Sequence, residues 1–295
     1  MLSKLRHFSS ATREKSNDFQ LEAEMSLLQR QLGLDLTDIK RIQGGTLGLG
    51  FIARINGQPR FLKTHTFEPG RQTLKKEWSI FSCLYQSILH VEAIDIEYED
   101  EIRFWLIMDS LSSIADLDTK QAYQLIKNHN HFLAKSLDLS VIPNKDNFEL
   151  LIKEGQKALL NLTMNYLISN TVQQYTHAYL HHLKTQSSNF PPHLCHGDFS
   201  PSNVMLKNSI PILIDWEDAF WGIEDYDYLY WLTFIKNRQF LSSTALASTA
   251  WDKHTAIAIM VLIIIIKCEI SFLSGSYINN KISFDKRIME VINIA

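Results

Sequence analysis

Asn56-Gly57, set between the runs FIARI (51–55) and RFLKT (60–64), constrains the fold of this chain more than any other short segment. Both central positions of a two-residue hairpin want positive φ, which asparagine and glycine adopt at little steric cost, so the pair predicts a tight antiparallel turn. Gly44, Gly45, Gly48 and Gly50, four of the eleven glycines, crowd the loop just ahead of it. The region Arg41–Thr64 therefore reads as three consecutive antiparallel strands. Leu74, Trp78, Phe81 and Leu84 or Tyr85 then recur at helical spacing over Arg71–Gln86, behind the opening Glu68-Pro69-Gly70. Two more strands are expected at Ala93–Tyr98 and Arg103–Met108, across the acidic turn 99–101. The result is a unit of five strands and one helix.

Beyond Ser112 the pattern becomes helical, over Thr119–Ser136 and again over Asn147–Lys184, with only the short strand-like pieces NVML and PILI between 203 and 214. The chain is thus expected to be α+β, with a small sheet-rich lobe over 1–111, helical leader included, and a larger helical lobe over 112–295. The boundary falls near Leu111–Leu117, and a cleft between such lobes is where a ligand sits. Eleven apolar residues from Ala256 to Ile266, stopped by Lys267 and Glu269, fall short of the roughly 20 that a membrane span needs, so they predict a buried helix. The first residues, MLSKLRHFSSATREK, lack the apolar centre of a secretory signal. A solvated helical leader is preferred there over a mitochondrial presequence, to which their basic and hydroxyl content bears a faint likeness.

Composition removes several function classes. Lysine and arginine (29) nearly cancel aspartate and glutamate (32), so the net charge of −3 offers no basic field for a nucleic acid. Cys83, Cys195 and Cys268 match no metal-ligand spacing and suit free thiols in a reducing, cytoplasmic setting. His177, His181 and His182 have a zinc-like spacing without a third ligand, and are expected to line a solvated helix face. His129 and His131, two apart, point to different faces of a helix. The absence of G-x-S-x-G leaves a hydrolase nucleophile unsupported.

The informative segment is HLCHGDFSPSNVMLKNSIPILIDWEDAFWGIEDYDYL, residues 193–229. His196-x-Asp198, then Asn203, then Asp215 at the end of an apolar strand, place two carboxylates and a carboxamide on adjoining loops. Mg²⁺ takes hard oxygen ligands, one or two of them protein carboxylates, and Asn203 and Asp215 meet that need. Asp198, five residues before Asn203, can then face an acceptor hydroxyl and orient it or take its proton as a γ-phosphoryl group moves.

The spacing His-x-Asp-x4-Asn resembles the catalytic loop of eukaryotic-like kinases, and HGDFSPSNV followed by ILIDWED is similar to the aminoglycoside phosphotransferase and choline kinase family. The resemblance runs from about Ile42 to Trp231 and implies a bilobal, protein-kinase-like fold that uses ATP and Mg²⁺. It makes Asp198 the catalytic aspartate and Asn203 and Asp215 the metal ligands, with His196 and Asp227 as structural support of the loop. It also implies that Lys63 on the third strand, paired with Glu77 on the following helix, fixes the α- and β-phosphates, and that Gly44, Gly45, Gly48 and Gly50 close over them. Asp109 and Leu111 fall at the hinge, where main-chain groups hold adenine. The glycines run Gly45-x-x-Gly48-x-Gly50 where protein kinases have G-x-G-x-x-G, and Tyr228 stands where the family often has leucine.

Only eleven residues separate Asp215 from Asp227, and Gly197 replaces the arginine beside the catalytic aspartate of many protein kinases. A peptide platform has no room, so the expected acceptor is a small molecule: an amino alcohol of the choline or thiamine type, an aminoglycoside or a sugar. Trp216, Glu217 and Trp221 are its candidate contacts, since aromatic faces and carboxylates together suit a cation. Half or more of the aromatics here are expected to be core. The competing function is a non-catalytic nucleotide-binding scaffold of the same fold.

Overall fold

β1 (Leu36–Ile42), β2 (Leu49–Ile55) and β3 (Gln58–Thr64) run antiparallel in succession, and the β2–β3 turn is Asn56-Gly57 with φ of 49° and 77°. The computed structural model describes residues 25–30, 33, 35–42, 49–65, 68–98, 101–113, 116–136, 139–143 and 147–294. Gly44, Gly45 and Gly48, the leader over 1–24 and the tip of the acidic turn therefore lie outside the described residues. α1 (Glu68–Tyr85) follows β3 and begins three residues earlier than its apolar spacing indicates. A proline in a first helical turn lacks only an N–H that would have no intrahelical partner. β4 (Val91–Tyr98) and β5 (Glu101–Asp109) complete a five-stranded antiparallel sheet of order β1-β2-β3-β5-β4.

One face of this sheet buries Phe51, Ala53, Ile55, Leu62, Trp105 and Ile107, and the helical stretch 25–30 seats Met25 and Leu28 on it. α1 covers the other face, where Leu74 meets Phe104 and Leu106. Its C-terminal half carries Ile80, Phe81 and Tyr85 into the core of the helical lobe. The helix therefore transmits the position of the sheet to everything that follows.

The chain changes partners between Asp109 and Leu111: β6 (Ser112–Ser113) already pairs with the second sheet. α2 (Thr119–Ser136) opens on a reciprocal cap, in which Asp118 Oδ1 accepts the Gln121 N–H (2.8 Å) and Gln121 Oε1 accepts the Asp118 N–H (3.0 Å). The single helical stretch expected over Asn147–Lys184 is two helices, α3 (Phe148–Met164) and α4 (Asn170–Gln186). Tyr166 takes a left-handed φ of 56°, and the Ser169 hydroxyl caps the new helix by accepting the Val172 N–H. Apolar periodicity continues across the break, and so the sequence pattern alone does not reveal it.

β7 (His193–Cys195), β8 (Val204–Lys207), β9 (Ile210–Leu213) and β10 (Phe220–Gly222) form two small ladders, β6-β8-β9 and β7-β10. Four further helices follow: α5 (Tyr226–Leu232), α6 (Ser243–Ala247), α7 (Lys253–Leu273) and α8 (Phe284–Ile292). α7 is long and apolar enough to cross a membrane. Its residues from Thr255 to Ile266 are buried against α3, α4, α5 and α8, which makes it the central helix of the lobe. Each Ile or Leu so covered contributes about 1.5–3 kcal/mol relative to exposure.

Candidate active site

The register of the first sheet sets Lys63 opposite Gly50 on β2 and Leu106 on β5. From there its ammonium reaches three carboxylates: Asp215 Oδ1 at 2.6 Å, Glu77 Oε2 at 2.8 Å and Glu217 Oε2 at 3.3 Å. Burial works against that charge, but the carboxylates of Asp215, Glu217 and Glu77 outweigh it and hold the Lys63 pKa well above its ordinary value. The second oxygen of Glu77 accepts the main-chain N–H of Asp215 at 3.1 Å. Burial pushes Glu77 up, against the pull of Lys63. Glu217 is pulled down despite its burial, by Lys63 and by a contact with His65 Nε2 at 3.2 Å. The ligand oxygens of Glu77, Asp215 and Glu217 lie within 4.8 Å of one another, the only three-residue cluster able to hold a metal among the described residues.

The second half of the site is the loop after β7. Asp227, at the start of α5, accepts the N–H groups of His196 (2.8 Å) and Gly197 (2.9 Å), one on each carboxylate oxygen. His196 Nδ1 accepts the Asp198 N–H at 3.2 Å and Nε2 faces the Ile214 carbonyl at 2.9 Å. Those partners select the neutral ring protonated on Nε2 and tie the loop to the end of β9. Gly197 has a φ of +83°, and a Cβ there would stand 2.2 Å from the Asp218 carbonyl oxygen. Asn203 donates from Nδ2 to the Asp198 carbonyl at 2.9 Å, which turns its Oδ1 into the acceptor end, and its own carbonyl accepts the Ile214 N–H at 2.9 Å. Asp215 follows in the left-handed conformation (φ 69°), which swings its side chain back toward Lys63. Asp198, Asn203 and Asp215 thus belong to one hydrogen-bonded unit, with His196 and Asp227 behind it.

The candidate acceptor contacts fare differently. Trp216 is wholly buried: its indole donates to the Leu213 carbonyl (2.9 Å) and its ring packs on His196 at 4.4 Å between centroids. It is core, and no face of it remains for an acceptor. The Glu217 carboxylate is engaged by Lys63 and His65, which moves it to the lysine side of the cleft. Trp221 donates to the Ile142 carbonyl and anchors β10. These aromatics alternate with acids in the sequence because the tight turns after β9 and the buried start of α5 need both.

At the hinge, the Asp109 N–H is bound to the His90 carbonyl (3.1 Å), so only its C=O and the main chain of Leu111 remain for a base. The Asp109 side chain pairs with Arg60 and with Lys207, which fastens the first sheet to β8. His177 and His181 stack on the exposed face of α4, with no third ligand beside them among the described residues, whereas His129 is half-buried. His129 Nε2 accepts from the Tyr85 hydroxyl (2.6 Å), which in turn accepts the Leu213 N–H (2.9 Å), locking α1 to β9. Sequence reasoning also missed His65 and Tyr230, whose hydroxyl donates to Asp198 Oδ1 at 2.5 Å. A tyrosine among five apolar or aromatic residues of a seven-residue helix gives no signal beyond core.

The sequence model of the phosphotransferase enzyme family matches residues 38–253. No curated protein matches the chain by sequence. Among solved structures, the aminoglycoside phosphotransferase APH(4)-Ia is similar at 16% identity, covering 93% of this chain and 99% of its own, with a TM-score of 0.62. The spectinomycin phosphotransferase APH(9)-Ia, in complex with ADP and spectinomycin, is similar at 14% identity over 91% and 92%, TM-score 0.59. Macrolide 2′-phosphotransferase type I is similar at 13% over 95% and 97%, TM-score 0.57. The fold is that of these kinase-like enzymes, an antiparallel sheet followed by a mainly helical lobe.

Proposed function

The chain belongs to the phosphotransferase enzyme family, and from that premise we propose that it transfers the γ-phosphoryl group of ATP to a hydroxyl of a small molecule. One observation carries this reading: Lys63, held by Glu77, converges on the same Asp215 that hydrogen bonds through Ile214 and Asn203 connect to Asp198. Phosphoryl transfer needs a cation for the phosphates, a place for a divalent metal and a carboxylate at the acceptor, all in one cleft. Asn203 Oδ1 and Asp215 are hard oxygen donors of the kind Mg²⁺ prefers, and they would hold it. When bound, the ion supplies charge neutralisation to the phosphate oxygens.

The remaining work belongs to this chain's own side chains. Lys63 places a buried positive charge where phosphate oxygens can replace the carboxylate of Asp215. Asp198 orients the acceptor hydroxyl and takes its proton. His196 and Asp227 hold the loop rigid, which keeps the cost of reorganisation low when charge develops. Gly50 lies across from Lys63 on β2 and would stand beside the phosphates of the nucleotide. The short stretch from Asp215 to Asp227 forms buried turns and offers a peptide no surface, which supports a small-molecule acceptor. Three free thiols, two of them buried, suit the proposed cytoplasmic setting.

Purified protein with ATP and Mg²⁺ should release ADP faster when a true acceptor is added. Nucleotide binding with no consumption under any acceptor would favour the scaffold alternative.

A further inference from the structure

We infer that Tyr230 is a positioning residue for phosphoryl transfer: its phenol holds one oxygen of Asp198 and thereby fixes which carboxylate oxygen the acceptor hydroxyl meets. The inference rests on the role proposed above for Asp198. Tyr230 lies on α5, 32 positions beyond Asp198, and its hydroxyl donates to Asp198 Oδ1 at 2.5 Å. Both residues are buried, at 4% and 5% exposure, so water competes poorly for either partner. A hydrogen bond to an ionised group in such surroundings is among the stronger ones.

The phenol is equipped to stay a donor. Burial and the neighbouring Asp198 charge raise its pKa well above that of a free tyrosine, so it keeps its proton. The ring is fixed from several directions. The Lys267 ammonium, from α7, lies 3.6 Å from the centroid of Tyr230 and 3.6 Å from that of Phe234, and donates to the Thr233 hydroxyl at 2.7 Å. Tyr226 and Phe234 pack at 6.1 and 5.5 Å between centroids. A side chain serving only as core would be satisfied by phenylalanine; here a polar atom in a buried aromatic cluster is aimed at the carboxylate proposed to do the chemistry.

The main-chain contacts of Asp198, from its N–H to His196 and from Asn203 to its carbonyl, fix its backbone. Tyr230 acts on the carboxylate itself, through Oδ1. Orientation of this kind acts on the rate of the chemical step and hardly on nucleotide binding.

The test uses the full chain, with ATP hydrolysis (water as acceptor) read as kcat and KM for Mg²⁺-ATP, in wild type, Tyr230→Phe and Asp198→Asn. Tyr230→Phe should lower kcat about ten- to a hundredfold, the loss expected for one hydrogen bond to a charged group, and leave KM for ATP within about twofold. In parallel, 3-fluorotyrosine is incorporated throughout and the Tyr230 ¹⁹F resonance is assigned by its loss in Tyr230→Phe, or by site-specific labelling should that variant not fold. That resonance should move in Asp198→Asn while those of distant tyrosines stay. Wild-type kcat in a folded Tyr230→Phe protein, or a Tyr230 resonance blind to Asp198→Asn, would overturn the inference alone. Equal hydrolysis by wild type and Asp198→Asn would instead overturn the catalytic role of Asp198 on which it rests.

Discussion

Lys63 Nζ lies 2.6 Å from Asp215 Oδ1, joining the third strand of the first sheet to the end of β9 across 152 positions of sequence. Glu77 holds both partners, the ammonium through one oxygen and the Asp215 N–H through the other. A phosphate clamp and a metal-facing carboxylate are therefore one assembly, set by α1.

Residues that act as a unit lose activity non-additively. Lys63→Ala, Glu77→Ala and the double variant should each lose about 10²- to 10³-fold in kcat/KM, as for removal of one fixed charge from a site of this kind. Losses that multiply in the double variant would show that Glu77 does not act through Lys63.

Much of this was legible in the sequence because it is local. The hairpin at Asn56-Gly57, the amphipathic spacing of α1 and the loop from His196 to Asn203 are each specified within a few residues, and local chemistry fixes their backbone. The break between α3 and α4 was not, since Tyr166 and Ser169 interrupt a helix whose apolar stripe simply resumes. Nor were the acceptor contacts: Trp216 and Glu217 look alike as pattern, and only the left-handed turn at Asp215 decides that one enters the core and the other turns to Lys63. Tyr230 meets Asp198 only once α5 has packed against the loop, a relation with no sequence signature.

Gly197 sits where the fold admits nothing larger. Gly197→Ala combines a left-handed φ with a Cβ driven into the Asp218 carbonyl, and should cost about 2 kcal/mol or more. The melting temperature should fall by roughly 5 °C, and turnover with it, because Asp198 is the next residue. An unchanged melting temperature would mean that the loop and the turn after Asp215 do not approach as closely as described.

Asp215→Asn should uncouple nucleotide from metal. A neutral amide is a poorer ligand for a hard dication, so calorimetry should show ATP affinity rising with added Mg²⁺ in wild type and much less in the variant. Equal Mg²⁺ enhancement in both proteins would remove Asp215 from the metal site.

Phosphoryl transfer to a small molecule is read directly as transfer of label from γ-³²P-ATP to a panel of alcohols (choline, ethanolamine, thiamine, homoserine, aminoglycosides, sugars), run on wild type and Asp198→Ala with ATP affinity and melting temperature taken from the same preparations. Wild type should give a Mg²⁺-dependent labelled product. In Asp198→Ala, kcat should fall by about 10²- to 10⁴-fold, the range for a general acid–base group, with ATP affinity and melting temperature held. A stable, ATP-binding Asp198→Ala protein that transfers label at the wild-type rate would remove Asp198 from the chemistry, and a wild type that binds ATP and consumes none would not be a phosphotransferase.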